Sequence, residues 1–266
     1  MKKTALTQLK MLGFAFILMT SGSPAFSEDI IDGWNAYYRE NYSYAKEIWT
    51  ELAKQGNPEA QFALGTLYTE GLGVNQSYET AAQWFKSAAD QDVADAQFNL
   101  GILYSQGLGV TRDEKIAADW YQKAAAQGLA EAQNNVGVLY FSGLGVAKDI
   151  DLALQWFAEA AHNGNVQAQT TLGAMYLNGM GLEQDYFTAF EWFDKAANQG
   201  FAEAQYNLGV MYAQGIAVSK NTKKAIKWFR KASSQGHHGA EHSLTQLLNT
   251  DTDKHSPIYS RRSSHG

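Results

Sequence analysis

Apolar and polar positions in residues 57–236 recur with a period of 36 and no insertion. In the first copy Ala60, Leu64, Leu67 and Tyr68 fall at i, i+4, i+7 and i+8. That spacing predicts a helix over about Pro58–Glu70 with one apolar stripe. Ala81, Trp84, Phe85, Ala88 and Ala89 follow, again at helical spacing, and predict a second helix. The pattern then repeats. Ala-Gln returns at Ala96-Gln97, Ala132-Gln133, Ala168-Gln169 and Ala204-Gln205. A Trp-aromatic pair returns at Trp120-Tyr121, Trp156-Phe157, Trp192-Phe193 and Trp228-Phe229. Each unit reads as helix A, loop, helix B. A fixed period of this length means an array in which each unit buries its apolar faces against its neighbours. The Trp-aromatic pairs share a face with three alanines, which places both rings in the core.

Punctuation agrees with the period. Helix A ends at Gly71-Leu72-Gly73-Val74 and at its later copies, where the first Gly suits a left-handed position past a helix end. Ser77, Asp113, Asp149, Asp185 and Asn221 then stand where an N-cap is needed. Helix B ends before Gly128, Gly164, Gly200 and Gly236, with Asp92 in the first copy. Gly65, Gly101, Gly137, Gly173 and Gly209 sit inside helix A. A mid-helix Gly costs about 1 kcal/mol relative to Ala, so its recurrence predicts a neighbour too close for a side chain. Residues 28–56 read as an N-terminal half-repeat with a first helix over Gly33–Glu40. Residues 237–249 read as a C-terminal cap helix, and 250–266, polar and holding Pro257 and Arg261-Arg262, as a disordered tail.

Residues 1–27 are of another kind. Lys2, Lys3 and Lys10 precede the apolar run Met11–Met19, followed by small residues and Ser23-Pro24-Ala25 or Ala25-Phe26-Ser27 as cleavage sites. This is the pattern of a secretory signal peptide. The run is short of the about 20 apolar residues that span a bilayer, so no stable membrane insertion is expected after cleavage. The expected location is the periplasm, with secretion as the alternative. There is no Cys, hence no disulfide and no thiolate chemistry. Loss of the leader takes the formal charge from −6 to −9, which argues against nucleic acid as a partner.

The units resemble the Sel-1-like repeat (SLR) family, a relative of the tetratricopeptide repeat. The third copy carries the resemblance in Ala130, Ala132, Gln133, Gly137, Tyr140, Gly143, Gly145, Val146, Asp149, Ala153, Trp156, Phe157, Ala160, Ala161 and Gly164, with Val136 where the family has Leu. The resemblance implies an all-α fold, a right-handed α/α superhelix (solenoid) of helix-turn-helix repeats with a concave face lined mainly by helix A. It implies a monomeric adaptor or scaffold that binds a protein or an extended peptide, in envelope signalling or in surface or host interaction. Cysteine-rich exported relatives bind or slowly hydrolyse β-lactams. A β-lactam- or peptidoglycan-binding envelope protein is therefore the alternative, weakened here by the missing cysteines.

Positions outside the apolar stripe are candidates for ligand contact. One slot of helix A reads Phe62, Phe98, Asn134, Thr170, Tyr206; the next reads Ala63, Asn99, Asn135, Thr171, Asn207; a third reads Thr69, Ser105, Phe141, Leu177, Ala213. In related tetratricopeptide proteins an Asn ladder holds the backbone of an extended peptide, because an amide donates and accepts at once. By that resemblance Asn99, Asn135 and Asn207 are expected to contact a peptide, with Phe62, Phe98 and Tyr206 as apolar contacts. His238-Gly239-Ala240-Glu241-His242 matches the zinc-peptidase pattern H-x-x-E-H. The repeat register accounts for it without metal, since Ala240 is the recurrent helix A alanine. No catalytic residue, metal or cofactor is expected, and no enzymatic action.

Overall fold

The structure is a computed structural model that describes residues 28–254, with side chains from 29 to 249. Residues 1–27, expected as a leader, and those beyond 254 lie outside the described residues. All described regular structure is helical: α1 Glu28–Tyr38, α2 Tyr42–Lys54, α3 Pro58–Glu70, α4 Tyr78–Ala89, α5 Ala94–Gln106, α6 Glu114–Ala126, α7 Ala130–Ser142, α8 Ile150–His162, α9 Val166–Asn178, α10 Tyr186–Asn198, α11 Ala202–Gln214, α12 Thr222–Ser233 and α13 His238–Lys254. The described residues form two compact units, divided between Ala88 and Ala89.

Residues 28–54 make a complete helix pair, α1 and α2. Helix α1 begins earlier than the expected Gly33, because Ile30 packs into the core beside Trp49 and Ala45. It stops at Tyr38, and Glu40 turns the chain with φ 60°. Gly33 here takes the part that Gly65 takes one repeat later. A Cβ on Gly33 would lie 2.1 Å from the Trp49 indole, and one on Gly65 2.5 Å from the Phe85 ring.

In the second unit each helix packs on the next, from α5 through α13. The recurrent mid-helix glycine is explained there too. Rings of Tyr121, Phe157, Phe193 and Phe229 lie flat on Gly101, Gly137, Gly173 and Gly209, with no room for a methyl group. These second rings of the Trp-aromatic pairs are buried. The first rings depart from expectation: Trp156 and Trp192 are only half-buried. Each packs against the cluster made by the preceding helix B and the helix A between, Trp156 on that of α6 and α7, Trp192 on that of α8 and α9. The outer side of Trp192 is covered by the Lys195 ammonium, 4.2 Å from the ring centroid. The tryptophans thus join neighbouring repeats, while the second aromatic fills each repeat's interior.

The caps follow the sequence. Asp113, Asp149, Asp185 and Asn221 accept backbone N–H groups of the helix they open, and each loop closes by an N–H from that residue to the carbonyl of the helix A Tyr. Asp185 also accepts from the Thr188 hydroxyl at 2.7 Å, which holds its carboxyl below the usual aspartate range. Val93, Leu129 and Phe201 occupy N-cap positions of α5, α7 and α11 without a side-chain bond. Leu129 and Phe201 pack apolar surface against the clusters beneath them instead. At the C-terminal end α13 covers α12 through Ala240, Leu244 and Leu247. It runs to Lys254, past the expected end at Asn249 and into the segment read as disordered.

Candidate functional site

Most positions of helix A are buried or half-buried, so few of them reach solvent. On one edge the recurrent Gln is buried. Gln97, Gln133, Gln169 and Gln205 donate through Nε2 to the carbonyls of Ala89, Ala125, Ala161 and Ala197. Those carbonyls belong to last helical turns, which leave acceptors without an intrahelical partner. Each Gln Oε1 accepts at 2.9 Å from the next repeat, from Gln127, Asn163, Gln199 and Gln235 in turn. One side chain thereby ties two successive helix B ends together. A recurrent amide before each helix B glycine was the sequence signal for this row, and only its Ala-Gln half was read.

The expected contact residues divide. In the first unit Phe62 is buried against the Phe85 ring, with centroids 5.8 Å apart, so it is a core residue and not an open apolar contact. In the second unit Asn99 is 3% exposed and donates to the Asp95 carbonyl of its own helix. Asn134 and Thr170 are both buried, and Thr170 donates to the Val166 carbonyl. Asn135 is a polar neighbour of the Tyr121 phenol, whose hydroxyl Ser105 meets at 3.3 Å. Tyr121 is the one helix B aromatic in that slot with a hydroxyl, against Phe85, Phe157, Phe193 and Phe229. Burial pushes its phenol up, and the two polar neighbours offset part of that. Phe98 packs on the same Tyr121 ring, and Tyr206 stacks on His237 at 4.6 Å.

Thr170, Thr171 and Asn207 come together in an open cleft of about 470 Å³. It crosses three successive helices A, α7, α9 and α11. Its walls are Val138 and Phe141 from α7, Ala174 and Met175 from α9, and Met180 from the following loop, with Phe201 and Glu203 at the start of α11. Val138 is 44% exposed, and Phe141 and Met180 are exposed as well. Three large apolar groups facing water around one concavity are the chemistry of a binding cleft. Phe141 stood in the third variable slot. Val138 and Ala174 stood in a slot that varies as Thr66, Ile102, Val138, Ala174, Val210 and lies one turn from both ladder slots. Spacing of i+3 and i+4 from Asn134 and Asn135 would have located it.

Glu203 at the rim is held by His237, whose Nε2–H donates to Oε2 at 2.9 Å while Nδ1 accepts the Ala240 N–H. The H-x-x-E-H residues form no comparable group. His238 is 96% exposed and 4.0 Å from Glu241, and His242 Nε2 accepts from Gln246. Among the described residues no cluster of His, Asp and Glu could hold a metal ion, and no helix is long and apolar enough to cross a membrane.

The Sel1 repeat family model matches this chain five times, at residues 58–93, 94–129, 130–165, 166–201 and 202–237. The chain belongs to the Sel1 repeat family. Among solved structures it is similar to a Sel1 repeat protein from Oxalobacter formigenes, with 33% identity, a TM-score of 0.77, and 83% of this chain and 88% of that one covered. It is similar to a protective antigen with an SLR fold from uropathogenic Escherichia coli strains, with 33% identity, a TM-score of 0.78 and 84% of this chain covered. It spans 49% of that antigen, about half its length. An immunity protein from Pseudomonas aeruginosa, 21% identical over 82% of this chain and 86% of that one, shares the fold alone, with a TM-score of 0.52. The fold class is thus the all-α solenoid of helix-turn-helix repeats. Sel1 repeat proteins generally mediate protein–protein interactions, and the scaffold is typically non-enzymatic.

Proposed function

We propose that this Sel1 repeat protein is an exported scaffold that holds an extended segment of a partner protein in the cleft across α7, α9 and α11. One observation carries the reading: three helices A contribute exposed Val138 and Phe141, then Ala174, then Asn207, to a single concavity. An apolar side chain of the segment would cover Val138, Phe141 and Met180 and remove their surface from water. Asn207 and Thr171 would meet the segment's backbone, since an amide and a hydroxyl each donate and accept. Asn99 and Asn135 have other partners and are left out of the contact set. The leader pattern at residues 1–27 supports export, with the periplasm as the place of action.

In-cell crosslinking and affinity capture test this, with wild type beside Phe141→Ala/Asn207→Ala. Circular dichroism confirms that both fold, and fractionation reports the compartment. The expected result is a partner held by wild type and weakened at least about tenfold in the variant, as when central contacts of an interface are truncated. A partner held equally by both would move the interface off this cleft.

A further inference from the structure

Helix α12 keeps every packing residue of helix B and rewrites its outer face. Ala225, Trp228, Phe229 and Ala232 are buried as in the earlier copies. Around them Lys220, Lys223, Lys224, Lys227, Arg230 and Lys231 are all exposed, with no Asp or Glu between Lys220 and Lys231. The same register positions one repeat earlier read Gln184, Phe187, Thr188, Glu191, Asp194 and Lys195. The sister helices show that packing does not call for the first five of these cations, whereas Lys231 repeats the place of Lys195 over its Trp. Like charges three and four residues apart on a helix repel, so the fold gains nothing from them. Lys231 lies over Trp228 and Lys224 over Tyr212, but none of the six is ion-paired among the described residues. Lys223, Lys227 and Arg230 make one stripe at i, i+4 and i+7, roughly 10 Å long at helical rise, and Lys220 stands in the loop before it.

A second observation lies one repeat away. Tyr186 and Phe187 open α10 with their rings in solvent, Phe187 being 71% exposed. Phe187 occupies the register position of Lys223, and consecutive repeats present such positions on the same side. An acidic protein segment would use the cations and leave Phe187 without a role. A surface that is anionic outside and apolar just beneath uses both, with cations at headgroup phosphates and rings at the acyl boundary. The acidity of the whole chain does not oppose this. Charges more than a Debye length away, about 8 Å at physiological salt, are largely screened, and the local face, six cations at α12 against Glu191 and Asp194 at the matching positions of α10, is net positive. We infer that the basic stripe of α12, with Tyr186 and Phe187 of α10, docks this protein on an anionic lipid surface.

The test is co-sedimentation of the full chain with phosphatidylcholine vesicles and with phosphatidylcholine–phosphatidylglycerol vesicles, at low and high salt. Wild type is expected to prefer the anionic vesicles and to release in salt. Lys223→Glu/Lys227→Glu is expected to lose at least about tenfold in affinity, at about fivefold per lysine removed. Phe187→Ser is expected to weaken vesicle binding without altering the salt dependence. The apolar run Met11–Met19 is common to every variant, so differences between variants read the docking face. Equal binding to both vesicle types, or an unaffected double variant, would overturn the proposal. A single-stranded oligonucleotide that binds as tightly as anionic vesicles, with Phe187→Ser unchanged on both, would overturn it in favour of a nucleic-acid surface. Both sites are exposed, and Lys223→Gln/Lys227→Gln, which removes charge without adding any, guards against misfolding of the reversal variant.

Discussion

The two edges of helix A in the second unit follow opposite plans. On one edge Gln97, Gln133, Gln169 and Gln205 recur, and so do their bonds: Nε2 to a helix-end carbonyl, Oε1 from an amide of the next repeat. On the other edge the residues change from repeat to repeat, and Val138, Phe141, Ala174, Thr171 and Asn207 open onto a cleft. Recurrence of residue and bond together marks architecture. Variation at a position the packing does not use marks a surface free to take on a partner. The asparagines fall between the two. Asn99, Asn135 and Asn207 recur as residues, yet one bonds its own helix, one serves Tyr121 and one faces the cleft. A repeated residue without a repeated environment is no ladder.

The sharpest way to break that comparison is to make the same change on both edges. Gln169→Leu removes one buried bond to Ala161 and one from Gln199. It should cost about 2–3 kcal/mol in urea unfolding, because a helix-end carbonyl is left buried without a donor. Thr171→Leu, on the cleft edge, should fall within about 0.5 kcal/mol of wild type, as surface changes do. Equal costs would mean that the cleft edge is architectural too, and that its variation is neutral drift within a packed face.

Much of this fold was legible because each repeat states the same facts again. The caps, the loop glycines and the mid-helix glycine under an aromatic ring all follow from residues that recur at one spacing. The site was legible only in part. Burial of helix A is set by the helices packed on both sides of it, and a single stripe of Ala, Leu and Tyr does not reveal that second contact. Phe62 and Asn99 therefore looked exposed in sequence and are buried in the fold. The half-buried tryptophans have the same cause, since they lie on the cluster of the neighbouring repeat. Asn135 needed one more fact, the hydroxyl that Tyr121 has and its sister phenylalanines lack. A double-mutant cycle tests for a bond between Asn135 and that hydroxyl. Asn135→Ala should cost about 1 kcal/mol in wild type and close to nothing in Tyr121→Phe, a coupling of about 1 kcal/mol. An equal cost in both backgrounds would return Asn135 to the cleft edge as a free polar contact.

The smallest expected effect lies where the last repeat departs from the architectural plan. The second loop glycine recurs as Gly73, Gly109, Gly145 and Gly181, all at positive φ, and Ala217 takes its place at φ 60°. In the earlier copies two constraints coincide. A Cβ on Gly145 would lie 2.2 Å from the Glu114 carbonyl oxygen, and one on Gly181 2.3 Å from Ile150 Cγ2. The last copy keeps the backbone conformation and admits the methyl group, which packs on the α10–α11 cluster. A left-handed alanine costs about 1–2 kcal/mol, while a glycine there adds about 0.4–1 kcal/mol of unfolded-state entropy. Ala217→Gly should therefore stabilise the protein by about 0.5 kcal/mol in urea unfolding. A loss of stability would mean that the packed methyl outweighs the backbone strain, and that the final loop is held by side-chain contact where the earlier four are held by glycine.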